Sequence, residues 1–111
     1  MNTLFESASP SLIEQIFKIG SRKTFSESEI IFAEGEKAKF LPVIVSGGVK
    51  LVRYPELGKE FIIGFFAEGD TFAIPPALDG KAFPATAVAV SDSILLLVPR
   101  EKFISLMETS N

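Results

Sequence analysis

The sequence predicts a mainly β fold: a double-stranded β-helix, also called a jelly roll or β-roll, with a short helix at each end. Eight short apolar segments recur about every 8–12 residues and are separated by glycine-containing turns, which is typical of a sandwich or barrel of short strands. The chain has 111 residues, of which 47% are hydrophobic and eleven are phenylalanine. This size and composition suit one domain, residues 1–111, with one substantial core.

The two predicted helices rest on end signals and on apolar spacing. Residues 10–19 carry an apolar stripe on one helical face, with Ser9 as a suitable N-cap and Pro10 at the first helical position. A second helix is predicted at about residues 99–109, with Pro99 near its first turn. The β-roll lies between them at about residues 22–98, and its predicted strands are 22–25, 30–33, 43–45, 49–54, 60–66, 71–74, 85–90 and 93–98.

Turn residues predict how some of these strands are joined. Gly47 and Gly48 stand between the third and fourth strands, and this predicts a β-hairpin. The stretch "PPALDG" predicts one helical turn that begins at Pro75 and ends at Gly80.

The composition excludes several kinds of chemistry. The chain contains no cysteine and no histidine, so it cannot supply a disulfide, a thiolate-bound iron–sulfur cluster, a His-ligated metal or haem, or a Ser-His-Asp triad. We therefore expect no cofactor and no metal. The formal net charge of −3 provides no basic field for nucleic acid, so this segment is not expected to contact DNA itself.

Acidic residues cluster in three predicted turns, at 26–29, 34–36 and 68–70. Paired carboxylates can perform acid–base catalysis, but these have no histidine or other chemical partner beside them. We interpret them as solvated turns and expect no enzymatic activity. A cupin-type or other small β-roll enzyme is the disfavoured alternative, because cupins usually need several metal-bound histidines.

No targeting or membrane signal is visible in the sequence. No apolar run approaches the ~20 residues that span a bilayer, and the first twelve residues lack the basic start and apolar middle of a signal peptide. We expect a cytoplasmic protein that does not interact with a membrane.

The order and spacing of several short pieces carry a family resemblance. They are "IFAEGE", "VIVSGGVKLVR", "GKEFIIGFFAEGDTF", "LDG" and "ATAVAVSDSILLLVPREKF", and the likeness runs from about residue 12 to residue 107. The chain resembles the cyclic-nucleotide-binding domain, and within that group the Crp/Fnr family of bacterial transcription regulators. The resemblance implies an effector-binding β-roll that controls a separate DNA-binding domain, here expected to lie beyond the sequence as given.

The same resemblance implies where a cyclic nucleotide would be held. In nucleotide-binding members, a Phe-Gly-Glu stretch, a helical turn and an Arg-Thr or Arg-Ser pair contact the ligand. On this sequence the glycine falls at Ala73, the ribose-binding glutamate at Ile74, the phosphate-binding arginine at Phe83 and the Thr or Ser at Pro84. Because arginine gives a two-point grip on phosphate that few side chains can copy, we expect weak or no binding of cyclic AMP or cyclic GMP.

We predict an apolar or mixed ligand pocket in this stretch. Lys81 could supply a point charge and Thr86 a hydroxyl, although we favour a solvated turn residue for Lys81 and plain core or pocket-wall packing for Phe83. The candidate pocket residues are Phe72, Ala73, Ile74, Leu78, Lys81, Phe83, Pro84, Ala85 and Thr86, with Val43 as a further wall residue.

The expected partners follow from the resemblance. They are an unknown small-molecule effector and, through a DNA-binding domain absent from this sequence, DNA. A full-length regulator would be a homodimer, whereas the isolated domain is expected to be monomeric or weakly dimeric. The alternative is a regulatory module of a channel, transporter or kinase assembly, which the segment following residue 111 would distinguish.

Overall fold

The computed structural model describes residues 9–109, which form two antiparallel β-sheets and three short helices. Antiparallel pairing joins β1, β7 and β3 in one sheet and β2, β6, β4 and β5, in that order, in the other. The elements are α1 (Pro10–Ile19), β1 (Ser21–Phe25), β2 (Ile30–Phe32), β3 (Phe40–Ser46), β4 (Gly48–Glu56), β5 (Lys59–Ala67), α2 (Ile74–Asp79), β6 (Thr86–Ala89), β7 (Ser93–Pro99) and α3 (Arg100–Thr109). The predicted fold class, a mainly β roll with short flanking helices, is confirmed.

Two strands of the three-stranded sheet, β3 and β7, are largely buried on both faces, which explains their unbroken apolar sequences. On β3, Ile44 points into the roll, while Leu41 and Val43 pack beneath the helices. On β7, Leu95 points inward and Leu96 points to the helices. A strand covered on both sides has no polar face to offer solvent, so it reads as a continuous apolar run.

Two apolar clusters stabilise the fold. One lies inside the roll between the two sheets; the other joins the outer face of the three-stranded sheet to the helices through Ile16 of α1, Ala77 of α2 and Phe103 of α3. We call the second one the helix-side cluster. The predicted cap of α1 is present, because Ser9 Oγ accepts a hydrogen bond from the Leu12 N–H at 3.2 Å.

The hairpin predicted at Gly47 and Gly48 is wrong. The strands on either side of these glycines belong to different sheets: β3 pairs with β7, and β4 pairs with β5 and β6. The chain crosses between sheets at Gly47, whose φ is +92°. The hairpin instead joins β4 to β5, where Glu56 faces Lys59 and Gly58, with φ +78°, occupies the turn.

The strand predicted at 71–74 is also wrong, so residues 9–109 contain seven strands rather than eight. Thr71 makes only an isolated bridge to Val43, and Ala73 adopts a left-handed conformation with φ +63°. Helix α2 then begins at Ile74. Pro75 and Pro76 explain the change, because proline has no N–H for a sheet ladder and its fixed φ suits a first helical turn.

The three acidic turns share one hydrogen-bonding pattern. Each turn contains two hydrogen bonds between an acidic residue and the residue three positions before it. The side-chain carboxylate of the acidic residue accepts a hydrogen bond from the backbone N–H of the earlier residue, and the backbone N–H of the acidic residue donates to the carbonyl of the earlier residue. These carboxylates therefore stabilise turns. The pairs are Ser26 with Glu29, Ala33 with Glu36, and Ala67 with Asp70. The interpretation as solvated turns is wrong for Asp70, which is buried.

We expect Asp70→Ala to lower the free energy of unfolding by about 1.5–3 kcal/mol, the usual contribution of a hydrogen bond to a charged group. Asp70 Oδ2 accepts from the Ala67 N–H at 2.8 Å, and the substitution leaves that donor without its partner. Urea denaturation measures the difference. Glu68→Ala, which removes an exposed carboxylate from the same turn, is the matched control and should change stability by less than about 0.5 kcal/mol. Equal losses in both variants would contradict the assignment.

Candidate functional site

A cavity of about 430 Å³ opens beside α2, within the size range of small-molecule sites. We call it the α2 cavity. Its walls come from β2, β4, α2 and the segment that leads into β6, so two sheet strands and one helix together shape it. The lining residues are Phe32, Leu51, Ala73, Pro75, Pro76, Asp79, Lys81, Ala82, Pro84 and Ala85.

The chemistry of the lining is mostly apolar. Eight of its ten residues are alanine, proline, leucine or phenylalanine, and Asp79 and Lys81 carry its two opposite charges. Asp79 Oδ1 accepts a hydrogen bond from the backbone N–H of Lys81 at 2.8 Å, so this carboxylate already has a partner. The lining therefore has no net formal charge to attract an anion.

Beneath the cavity lies a cluster of phenylalanine rings. Phe83 stacks on Phe32 with 3.7 Å between ring centroids, and it also lies 5.8 Å from the ring of Phe40. Backbone hydrogen bonds hold Phe83 in place, because its N–H donates to Glu36 O and its carbonyl accepts from the Gly35 N–H. Only 1% of Phe83 is exposed, so its ring is part of the core and Phe32 forms the floor of the cavity.

The start of α2 offers few amide donors. Its first three residues are Ile74, Pro75 and Pro76, and proline has no N–H. The N–H of Ala77 donates to the carbonyl of Ala73 at 3.1 Å. An anion at this helix start would therefore meet fewer backbone donors than helix starts usually provide.

The structure brings together four of the predicted pocket residues and places the others elsewhere. Ala73, Lys81, Pro84 and Ala85 line the α2 cavity. Ile74 and Leu78 lie outside its lining, with 40% and 49% of their surfaces exposed. The remaining predicted residues are buried: Phe72 and Phe83 in the roll, Val43 in the helix-side cluster, and Thr86 with Oγ1 accepting the Glu34 N–H at 3.0 Å.

Sequence reasoning missed part of the lining. Phe32 and Leu51 reach the cavity only because β2 and β4 both pair with β6, which follows the α2 segment. No local pattern marks them, since pairing between distant strands decides which of their faces meets α2. Pro75 and Pro76 were already in the predicted helical turn, so their place in the wall could have been proposed from the sequence.

Within residues 9–109, no group of three or more aspartate or glutamate residues is arranged to hold a metal ion. No helix in that range has the length and apolar character required to cross a membrane.

The whole chain was also compared with known proteins. The family model described as "Cyclic nucleotide-binding domain" matches residues 22–110, which is most of the chain. The chain belongs to the cyclic nucleotide-binding domain family. The α2 cavity accordingly lies in a fold whose family name denotes ligand binding.

Bacterial regulators are among the domain's relatives. The cyclic AMP receptor protein of Thermus thermophilus is 29% identical over 104 residues, which cover 94% of this chain and 48% of that protein. The solved structure of the T. thermophilus catabolite activator protein superposes with a TM-score of 0.84 at 28% identity, covering 95% of this chain and 49% of that one. The domain thus spans about half the length of these regulators.

A solved sensor domain gives a third comparison. The sensor domain of the transcriptional regulator DNR from Pseudomonas aeruginosa is 27% identical, with a TM-score of 0.82, and the match covers 96% of this chain and 71% of that one. A region of lysophospholipase NTE1 from Phaeosphaeria nodorum, only 6% of that protein, is 26% identical over 97 residues. Related domains therefore occur in regulators and also within a protein named as an enzyme.

Proposed function

We propose that this domain is the effector-binding sensor of a Crp/Fnr-type transcription regulator and that its α2 cavity takes an uncharged, largely apolar organic molecule. The domain binds rather than catalyses. It acts in the cytoplasm, and a further domain of a dimeric full-length regulator contacts DNA. Cyclic AMP and cyclic GMP bind weakly or not at all.

The observation that carries this proposal is the neutral, apolar lining of the α2 cavity. A cyclic phosphate entering it loses hydration, and the lining offers one lysine, whose charge is balanced by the carboxylate of Asp79. Burying an anion without a well-placed cation costs several kcal/mol. An apolar ligand gains from the same walls about 25 cal/mol for each Å² of surface removed from water.

Residue placement supports the predicted loss of the phosphate contact. The position that the family resemblance assigns to the phosphate-binding arginine is Phe83, whose ring stacks on Phe32 inside the core. The position assigned to glycine is Ala73, and its left-handed φ of +63° is the conformation that favours glycine. That agreement supports the register in which Phe83 replaces arginine.

A route from the cavity to the C-terminal helix also exists. Pro76 lines the α2 cavity, while the next residue, Ala77, belongs to the helix-side cluster with Phe103 of α3. At the other end of α2, Arg100 Nη2 donates to the Leu78 carbonyl at 3.0 Å. A ligand that moves α2 therefore shifts the packing of α3, and through it the rest of a regulator.

We expect calorimetric titration of the domain with cyclic AMP or cyclic GMP to give no saturable binding below a Kd of about 1 mM, equivalent to less than about 4.1 kcal/mol of binding free energy. The reason is the missing phosphate partner in the α2 cavity. A micromolar Kd for either nucleotide would contradict this part of the proposal.

The apolar-effector part has its own test. We expect a library of small uncharged organic molecules, screened by amide NMR shifts, to contain ligands that perturb residues 73–85. Ala82→Trp should abolish those shifts, because Ala82 is exposed at the cavity wall and a large side chain there fills the cavity. Leu57→Trp, placed on the exposed β4–β5 turn, is the matched control and should leave binding unchanged. Ligands unaffected by Ala82→Trp would refute the cavity assignment.

A further inference from the structure

A second cavity, distinct from the α2 cavity, lies where the loop before β3 meets the start of α3. Its volume is about 410 Å³, and it shares no lining residue with the α2 cavity. We call it the Lys37–Lys39 notch. The lining residues are Lys37, Ala38, Lys39, Pro99, Arg100 and Glu101.

The notch is rich in unpaired positive charge. Lys37, Lys39 and Arg100 contribute three cations against the single carboxylate of Glu101. Across residues 9–109, the ion pairs within 4.0 Å involve Lys18, Lys50, Arg53 and Lys59, and none of the three notch cations. This local excess stands out in a chain whose net charge is −3.

Arg100 adds two further features to the notch. Its Nη2 donates to the Leu78 carbonyl, but its Nε is buried and has no hydrogen-bond partner, whereas most buried polar groups have one. Arg100 is also the first residue of α3, so its positive charge adds to the positive end of that helix dipole. The positive charge at this helix start favours a negative group beside it.

The loop that carries the two lysines is held in position. Ala38 is buried in the core, and its N–H donates to the Lys81 carbonyl at 2.9 Å. The N–H of Arg100 donates to the Lys39 carbonyl at 2.8 Å. Because the Ala38 side chain points inward, the side chains of its two neighbours, Lys37 and Lys39, emerge on the opposite, exposed side. The backbone that carries the two lysines is thus fixed before any ligand arrives, which limits the entropy lost on binding to that of their side chains.

We propose that the Lys37–Lys39 notch is a binding site for an oxyanion group, phosphate or carboxylate, of a small molecule. The two lysines supply mobile point charges, and Arg100 supplies a fixed one at the base. The notch shares no lining residue with the α2 cavity, and this proposal does not depend on what that cavity binds.

Inorganic phosphate is the probe for the first test, monitored by amide NMR shifts at constant ionic strength with chloride as the balancing ion. We expect saturable shifts at Lys37, Lys39, Arg100 and Glu101. The double variant Lys37→Ala/Lys39→Ala should weaken binding about tenfold or more, because it removes two charge-assisted contacts. Acetate, titrated in the same way, distinguishes the two anion classes: tighter phosphate binding assigns a phosphoryl ligand, and tighter acetate binding a carboxylate ligand.

The matched control is Lys18→Ala/Lys59→Ala, which removes the same total charge from two exposed lysines outside the notch. It should change phosphate affinity by less than about twofold, since exposed charges outside the site are screened by salt and contribute little. Arg100→Gln retains an amide donor for the Leu78 carbonyl but removes the charge, and it should also weaken binding. Equal weakening by both double variants, shifts centred on residues 73–85, or no saturation with either anion would overturn the proposal.

Discussion

Replacing Phe83 by alanine is expected to lower the free energy of unfolding by about 3–5 kcal/mol, as is usual for a fully buried phenylalanine. The ring is 1% exposed and stacks on Phe32 at 3.7 Å between centroids. Its loss removes buried apolar area and leaves a void that the neighbouring strands, tied together by ladder hydrogen bonds, cannot fill. Guanidinium or urea denaturation followed by circular dichroism gives the difference directly.

The matched control is Phe61→Ala, the same chemical change on β5, where 60% of the side chain is exposed. It should cost about 1 kcal/mol or less, the span of strand propensity effects at exposed positions. The comparison also bears on function. If Phe83→Ala were as mild as Phe61→Ala, Phe83 would be a replaceable surface or pocket-wall residue, and its assignment to the core would be wrong.

The second large effect is expected at Gly47, where substitution by alanine should cost about 2–4 kcal/mol. The φ of +92° is strained for any residue with a Cβ, at about 1–2 kcal/mol. The new methyl would also overlap Ser93 Oγ and lie 2.8 Å from the Asp92 carbonyl oxygen. Ser93 cannot move freely, because it is buried and its Oγ accepts the Gly48 N–H at 3.1 Å.

Gly58 provides the control for backbone strain alone. Its φ of +78° resembles that of Gly47, but nothing lies within 4 Å of an added Cβ. We expect Gly58→Ala to cost about 1–2 kcal/mol, with Gly47→Ala worse by a further 1 kcal/mol or more from crowding. Thermal unfolding of the two variants measures the gap. Equal costs would show that the crossing between the sheets can relax around a methyl group.

Local signals in the sequence indicated some of the residues that line the α2 cavity. Pro75, Pro76 and Gly80 predicted the short α2 helix, because proline suits a first helical turn and Gly80, with φ +71°, suits its end. The apolar character of the site was also visible. The floor of the α2 cavity could not be predicted from the sequence. Phe32 reaches the floor through the pairing of β2 with β6, and no local pattern indicates which distant strand will be a neighbour.

The predicted hairpin at Gly47 shows the same limit in the fold. A glycine pair between two apolar segments produces a sharp turn in either case: a hairpin within one sheet, or a crossing between two sheets. β3 pairs with β7 because its two faces can both be buried there, one against the opposite sheet and one beneath the helices. That choice depends on burial by residues far away in the chain.

The sequence by itself determined the β-roll class, the positions of the turns, the short α2 helix and the absence of cysteine and histidine chemistry, because these follow from local backbone preference and residue type. The tertiary structure alone decided that Phe83 is core, that Asp70 is a buried turn cap, and that Lys37, Lys39 and Arg100 meet in one notch. Packing between distant segments determines which side chains are buried and which charged groups lie close together. A local sequence pattern does not indicate which distant segments will pack against each other.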